Sequence, residues 1–235
     1  MILCGGLGKR LGENKPKALV ELKEGLTILE YQLYGLKKAG IREVYLLTGF
    51  GHEQIEERIG NEWKGLKIIY SREKRKLGTG GAIKNCIETY NLRNERLVIL
   101  NGDVIYRGSL RRILKRSSQL TDEGIFVTML IVPLVSRYGI VHTDERRIIK
   151  FEEKPVLPYF INGGIYVVNQ CKEFDLAEYI PEPPNDIEKS TFPFLVEKGV
   201  VGWYRDTKSL WISIETRKDV ERARNLFKEL NLQLW

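Results

Sequence analysis

The chain has 235 residues but only three cysteines, two histidines and eight prolines. Each scarcity removes a class of protein. Cys4, Cys86 and Cys171 stand far apart, match no metal-ligand spacing and cannot build a disulfide framework, so they read as reduced thiols with packing roles. Beyond His52 and His142 there is no imidazole, and no serine or cysteine nucleophile has an obvious base beside it, so covalent catalysis lacks visible machinery. The longest apolar run, residues 125–135, is too short to cross a bilayer and is broken by Pro133. No basic segment leads into a long apolar one at the start, so no signal peptide is visible. A cytoplasmic protein without a membrane partner is expected. Internal repeats and low-complexity linkers are also missing, which argues for one domain with two subregions.

What is present suits a globular enzyme. Hydrophobic residues at 43% and charged residues at 29% allow a substantial core under an ordinary polar surface. The net charge of +7 suits a polyanionic ligand: nucleotide, sugar phosphate, nucleic acid or membrane surface. Charge alone does not choose among these.

The first nineteen residues organise the rest. A short apolar run, Ile2 to Cys4, stops at Gly5-Gly6, a loop carries Lys9 and Arg10, and Lys17 follows Pro16. Glycines let backbone N–H groups approach an anion, and the cations neutralise it. The stretch is not a P-loop, because no Gly-x-x-x-x-Gly-Lys-Ser/Thr passes through it. Nor is it the dinucleotide fingerprint, since Gly6-x-Gly8 is followed by glycine one place late, at Gly12.

Farther along, Thr27-x-x-Glu30 has the capping-box pattern, with Ile28, Leu29, Leu33 and Leu36 at helical spacing up to Gly40. Val44 to Leu47 reads as a buried strand, 52–59 as a helix and Leu66 to Tyr70 as another strand. This alternation predicts a parallel sheet with right-handed crossovers. After the basic segment 72–77, Gly78-Thr-Gly-Gly81 opens a helix through Tyr90, a second helix N-terminus able to meet an anion or a polar base. Leu97 to Leu100 is a strand running into Asn101-Gly102-Asp103, and an acid there sits where open α/β sheets bind ligands. Read alone, Asn-Gly-Asp is also an ordinary turn. The Arg111, Arg112, Lys115 and Arg116 cluster reads as a solvated helix face. From residue 125 the texture changes to strands at 126–132, 139–142, 148–151 and 160–168, with Asn162-Gly-Gly164 as a turn. Pro181 to Pro184 reads as a surface loop. Thr216-x-x-Asp219 caps a last helix whose inner face is Val220, Ala223 and Leu226.

Five pieces in this order resemble the sugar-1-phosphate nucleotidyltransferase family: Gly5-Gly-Leu-Gly-Lys-Arg-Leu11 with Pro16-Lys17, Leu77-Gly-Thr-Gly-Gly-Ala82, Asn101-Gly-Asp103, Phe151-Glu-Glu-Lys-Pro155 and Ile161-Asn-Gly-Gly-Ile-Tyr166. The resemblance runs to Trp211-Ile-Ser-Ile-Glu-Thr216. Leu77 to Ala82, Ser136 to Ile140, and Glu188-Lys189 followed by Phe192-Pro193 look most like the heptose- and mannose-1-phosphate guanylyltransferases. It implies a Rossmann-like three-layer α/β/α fold with a mixed, mainly parallel sheet. One catalytic domain would fill 1–235, with a nucleotide-binding part (1–122), a sugar-phosphate-binding part (123–235) and no C-terminal β-helix.

The implied reaction converts nucleoside triphosphate and sugar 1-phosphate into nucleotide sugar and pyrophosphate, by in-line attack at the α-phosphorus with a divalent metal such as Mg²⁺. Leu3, Gly5, Gly6, Gly8, Lys9 and Gly102 would hold the nucleotide. Arg10 would contact the β- and γ-phosphates, and Lys17 would bridge the α-phosphate and the incoming phosphate. Gly78 and Thr79 would lie against base and ribose. Gly139, Glu153, Lys154 and Asn162 would form the sugar-phosphate pocket, and Asp103 would ligate the metal. A homo-oligomer is compatible with the resemblance and a nucleic-acid partner is not expected, because the basic runs are interleaved with acids and carry no stacking-aromatic motif.

One departure stands out. Ser213 occupies the position where the family usually carries a second metal-binding Asp, and Lys9 replaces a common small hydroxyl residue. Asp186 and Ser190 flank Glu188-Lys189 with acid and hydroxyl apparently exchanged. Three outcomes are compatible with this departure: Asp103 holds the metal with phosphates and water, Glu215 or Asp206 reaches it, or the chain binds nucleotide or sugar phosphate without turning it over.

Overall fold

A computed structural model describes residues 1–6, 8 and 15–229. Lys9 and Arg10, both in the expected nucleotide set, lie outside the described residues. The chain starts with β1 (Ile2–Leu3), and one 3-10 turn, Lys17–Leu19, follows Pro16. A small hairpin, β2 (Glu21–Lys23) and β3 (Leu26–Thr27), leads into α1 (Ile28–Ala39). Then come β4 (Glu43–Thr48), α2 (His52–Ile59), β5 (Glu62–Trp63), β6 (Leu66–Arg72) and α3 (Gly78–Thr89). β7 (Arg96–Asn101), β8 (Val104–Tyr106) and α4 (Leu110–Thr121) complete the first part. The second part carries β9 (Val127–Val135), β10 (Ile140–Thr143), β11 (Ile148–Glu152) and β12 (Val156–Asn169). It ends with α5 (Leu176–Tyr179), α6 (Ile187–Glu197), β13 (Val201–Arg205), β14 (Trp211–Ser213) and α7 (Arg217–Glu229).

Eight strands form one sheet in the order β13-β9-β12-β7-β1-β4-β6-β5. β1 pairs in parallel with β4 on one side and β7 on the other, β4 pairs in parallel with β6, and β13 with β9. β12 runs antiparallel to both its neighbours, and β5 to β6. The mixed, mainly parallel sheet is thus as the sequence implied. Because the period of a strand is two, neighbouring residues serve opposite layers. Val98 and Leu100 of β7 join the core under α1, α2 and α4. Leu97 and Ile99 join the core under α3, α5 and α6. A third cluster, around Ile105, Ile212 and α7, closes the end of the molecule.

Local chemistry sets the helix starts. The Thr27 hydroxyl accepts the Glu30 N–H at 3.2 Å while Glu30 accepts the Thr27 N–H at 2.8 Å, a full capping box. Glu30 is also held by Arg58 from α2. Gly40 ends α1 in the left-handed region (φ 95°).

Two sequence expectations need correction. Asn162-Gly-Gly164 is not a turn but an irregularity inside the 14-residue β12, where the pairing with β9 shifts register. Side chains force it: a Cβ on Gly163 would lie 2.7 Å from Leu130, so close packing rather than chain reversal calls for glycine. In α7 the fully buried third residue is Phe227, which meets Tyr31 edge to face at 5.3 Å; Leu226 is only partly buried. Pro181 to Pro184 form the surface loop the sequence predicts, and Pro183 and Asn185 also pack on the start of α3.

The capping box generates a stability prediction. Thr27→Ala removes the acceptor of one buried N–H and should cost about 1 kcal/mol. That corresponds to a Tm lower by about 2–4 °C for a chain of this size, and an unchanged Tm would show that the helix start is held by packing alone.

Candidate functional site

The sheet changes direction of travel at β1, with the chain winding one way to β4 and β6 and then returning to β7. Ligands bind outside the carboxyl ends of the strands at such a switch point. There a cleft of about 820 Å³ opens. Its walls are the ends of four parallel strands and the start of α3: Leu3 to Gly6 after β1, Gly49 and Phe50 after β4, Glu73 to Lys76 after β6, Asn101 to Asp103 after β7, and Gly78 with Thr79.

Most of the expected nucleotide residues meet here. Leu3, Gly5, Gly6, Lys17, Gly78, Thr79 and Gly102 all line the cleft, together with Asp103. Gly8 is buried and is not among the wall residues. The Lys17 ammonium donates to Asp103 Oδ2 at 2.6 Å, and both side chains remain partly open, at 20% and 28%. Opposite charges from residues 86 apart are therefore set side by side at the mouth of the strand ends. Gly102 is required by a close approach, since a Cβ there would lie 2.1 Å from the Leu3 carbonyl oxygen.

The start of α3 is shaped by a second close approach. Gly78 has φ +76°, and a Cβ on it would lie 2.1 Å from the Asn185 carbonyl oxygen. Main-chain bonds lock the two segments: Asn185 N–H donates to Leu77 O at 2.9 Å, and Gly80 N–H to Asn185 O at 3.1 Å. The Thr79 hydroxyl donates to Glu188 Oε2 and accepts the Ile187 N–H, each at 2.9 Å. The glycines that looked like an anion cradle thus also serve to seat α3 against α6.

Glu73 went unnoticed in the sequence, where it sits inside a basic run. Its Oε2 accepts the Leu77 N–H at 3.0 Å, and its Oε1 lies beside the backbone of Gly49 and Gly5. The only sequence signal was negative: one acid among four cations in 72–77.

The expected sugar-phosphate residues lie apart from this wall. Gly139 packs under Phe151 and near Glu153 Oε2. Glu153 and Lys154 pair at 2.9 Å, both well exposed, with Lys154 in the left-handed region (φ 46°). That conformation is uncommon for a side chain of this length and marks a tight local constraint. Asn162 sits deeper: its amide donates to the Tyr166 hydroxyl at 2.7 Å and its Oδ1 accepts the Gly164 N–H at 2.8 Å. Gly164 in turn packs on Val104 and Asn101, next to the Asp103 turn.

β14 pairs with β8 so that Ser213 stands opposite Val104, and the Ile214 N–H donates to the Asp103 carbonyl at 2.9 Å. The other acids considered for a metal are engaged elsewhere. Asp206 accepts the Tyr106 hydroxyl at 2.8 Å, and Glu215 lies 3.5 Å from Arg137. Among the described residues no group of three His, Cys, Asp or Glu could hold a metal. Asp103 brings a carboxylate to the cleft wall, the donor type that suits a hard cation taking its other ligands from phosphate oxygens and water.

A mainly parallel sheet with its cleft at the switch point and a Lys–Asp pair in the wall defines an open α/β class with a ligand site at its strand ends, and comparison with known proteins gives the family. The profile of nucleotidyl transferases matches residues 1–226, and the chain belongs to that family. It is 39% identical to the D-glycero-alpha-D-manno-heptose 1-phosphate guanylyltransferase of Aneurinibacillus thermoaerophilus, over 73% of this chain and 74% of that one. It is 38% identical to the Campylobacter jejuni protein of the same name, over 76% and 80%. Mannose-1-phosphate guanylyltransferase catalytic subunit beta of Drosophila melanogaster is 34% identical over 93% of this chain and 60% of that one. Crystal structures share the fold. HddC from Yersinia pseudotuberculosis complexed with GMP-PN has a TM-score of 0.69 at 23% identity, covering 96% and 97%. A Bacillus anthracis protein crystallised with a sucrose has a TM-score of 0.74 at 22% identity, covering 99% and 96%. Among the described residues no helix is long and apolar enough to cross a membrane.

Burial decides the thiol chemistry. It pushes the Cys4 thiol up to about 12 and that of Cys86 up to about 11, although Cys4 lies beside the cleft. Neither supplies a thiolate nucleophile at neutral pH. Titration of the native chain with a thiol-specific disulfide reagent at pH 7.5 should therefore modify Cys171 first, and the other two only after denaturation. Rapid native labelling of Cys4 would contradict this.

Proposed function

We propose that the chain is a guanylyltransferase acting on a sugar 1-phosphate, with a heptose 1-phosphate or mannose 1-phosphate as acceptor. One observation carries the reaction type: Lys17 and Asp103 meet at 2.6 Å in the cleft that also holds the Gly5-Gly6 and Gly78-Thr79 turns. A sugar phosphate needs no general base, because its second pKa lies near 6 and its oxygen is already anionic at neutral pH. That oxygen attacks the α-phosphorus in line, the bond to the bridging β-oxygen breaks, and pyrophosphate leaves with the electron pair. The protein's contribution is position and charge. Lys17 neutralises the two approaching phosphates, and Asp103 orients the ammonium. Arg10 would meet the β- and γ-phosphates, while Glu153, Lys154, Asn162 and the Gly139 backbone would receive the sugar phosphate. Mg²⁺, held by Asp103, phosphate oxygens and water, would add charge neutralisation on the triphosphate.

Glu73 favours guanine as the base. A carboxylate only accepts hydrogen bonds, and Glu73 brings one into the cleft beside the Gly5 and Gly49 main chain, next to the 74–76 basic run. Guanine presents two adjacent donors, N1–H and the 2-amino group, whereas adenine and the pyrimidines each set a single donor beside an acceptor on that edge. A charge-assisted pair of bonds would select the first and repel the others.

Pyrophosphate release from a panel of nucleoside triphosphates and sugar 1-phosphates tests both statements. GTP with a manno-configured sugar phosphate should be fastest. Glu73→Gln, which turns one acceptor into a donor, should lower the preference for GTP over ATP by roughly 10- to 100-fold. A preference untouched by this change would remove Glu73 from base selection, and no release with any pair would reject the enzyme in favour of a binding protein.

Ser213 supports a metal site with one carboxylate too few. Ser213→Asp should raise turnover at limiting Mg²⁺ with little change in nucleotide affinity. Turnover that stays level or falls would show that residue 213 does not occupy the metal position.

A further inference from the structure

We infer that Gln32 is a positioning residue for nucleotidyl transfer, acting through the turn that carries Asp103; this rests on the reaction proposed above. Gln32 lies on α1, outside the cleft wall, and its side chain is almost fully withdrawn from water. One amide nitrogen donates twice, to the Asn101 carbonyl at 2.8 Å and to the Val104 carbonyl at 2.9 Å. These carbonyls bracket Gly102-Asp103, so a single planar group ties both ends of the turn.

The orientation of that amide is fixed by chemistry. Turning it over would set Oε1 against two carbonyl oxygens, leaving three acceptors facing one another without a proton. In the observed orientation Oε1 has no hydrogen-bond partner although it is buried. A buried amide that leaves its own oxygen unpaired costs stability. Leucine would fill a similar volume at that place on α1 without the penalty. The two bonds to the turn are the compensating gain, and what they hold is the approach of Gly102 to Leu3 and the placement of Asp103 against Lys17.

The clamp has a firm base. Residues 28–31 of α1 are buried, and its first turn is fixed by the Thr27–Glu30 capping box and by Arg58. Tyr31, one residue earlier, donates its hydroxyl to the Tyr106 carbonyl at 3.2 Å, just past Val104 on the same strand. α1 therefore grips β8 and the β7–β8 turn together. If the reaction needs the carboxylate within a fraction of an ångström, freeing the turn should slow the chemical step and leave ground-state binding of the triphosphate intact.

Two variants separate this role from a structural one. Gln32→Leu keeps the volume, removes the buried unpaired oxygen and should leave Tm near that of the parent. Its kcat should fall by about 10- to 100-fold with KM and Kd for GTP within about twofold. Gln32→Glu places a carboxyl group before the two carbonyls. Only its protonated form can donate, so its kcat relative to the parent should rise as pH falls from 8 to 6. A Gln32→Leu enzyme with parental kcat overturns the clamp, as does one whose kcat and nucleotide affinity fall together with its Tm. A flat Gln32→Glu to parent ratio across that pH range also overturns it. The parent is assayed alongside: if it releases no pyrophosphate, the reaction itself is refuted and the catalytic role of Gln32 with it, whereas an active parent with an unaffected variant refutes the clamp alone.

Discussion

Everything at the cleft depends on how a two-residue strand is held between two parallel neighbours. Ile2 and Leu3 pair with Leu46 and Leu47 on one side and with Leu100 and Asn101 on the other. The register ends β1, β4 and β7 at the same level, so their loops open onto one space. Gly102 can then pass over the Leu3 carbonyl at a distance no side chain would permit. Any residue with a Cβ there would separate β7 from β1 and carry Asp103 away from Lys17. The ion pair is thus a consequence of strand register before it is a feature of the site.

The surroundings of that register are tied rather than merely packed. Gln32 spans the turn from below, β14 meets β8 from the side, and the Ile214 N–H takes the Asp103 carbonyl. On the far side of the cleft, Asn185, Ile187 and Glu188 fix the start of α3 through main-chain and Thr79 contacts. Residues distant in sequence thereby become one rigid frame with a polar opening. A frame of this kind suits a reaction that needs orientation of anions more than proton transfer.

Charge is distributed to the same end. The cleft wall carries Lys17 and the 74–76 basic run, with Asp103, Asp186 and Glu73 as its acids. One acid faces the cation at the reacting end, and another stands at the base of α3. Ser213 contributes to the strand pair β8–β14 through its backbone, opposite Val104.

The sequence by itself determined the periodic elements and the residues that punctuate them. Strand–helix alternation, the Thr27–Glu30 box and the glycine at 40 are local properties, set by period and backbone freedom. The family resemblance also placed Lys17 and Asp103 in one site before any geometry was known. The tertiary structure alone decided what depends on long-range contact. Asn162-Gly-Gly164 looked like a turn because glycine serves both reversal and close packing, and only the presence of Leu130 tells which. Glu73 was hidden in a basic run because sequence shows average charge and not the direction of one carboxylate. Gln32 was invisible as well. A glutamine inside an amphipathic helix carries no signal until its amide is found between two carbonyls that lie about seventy residues away.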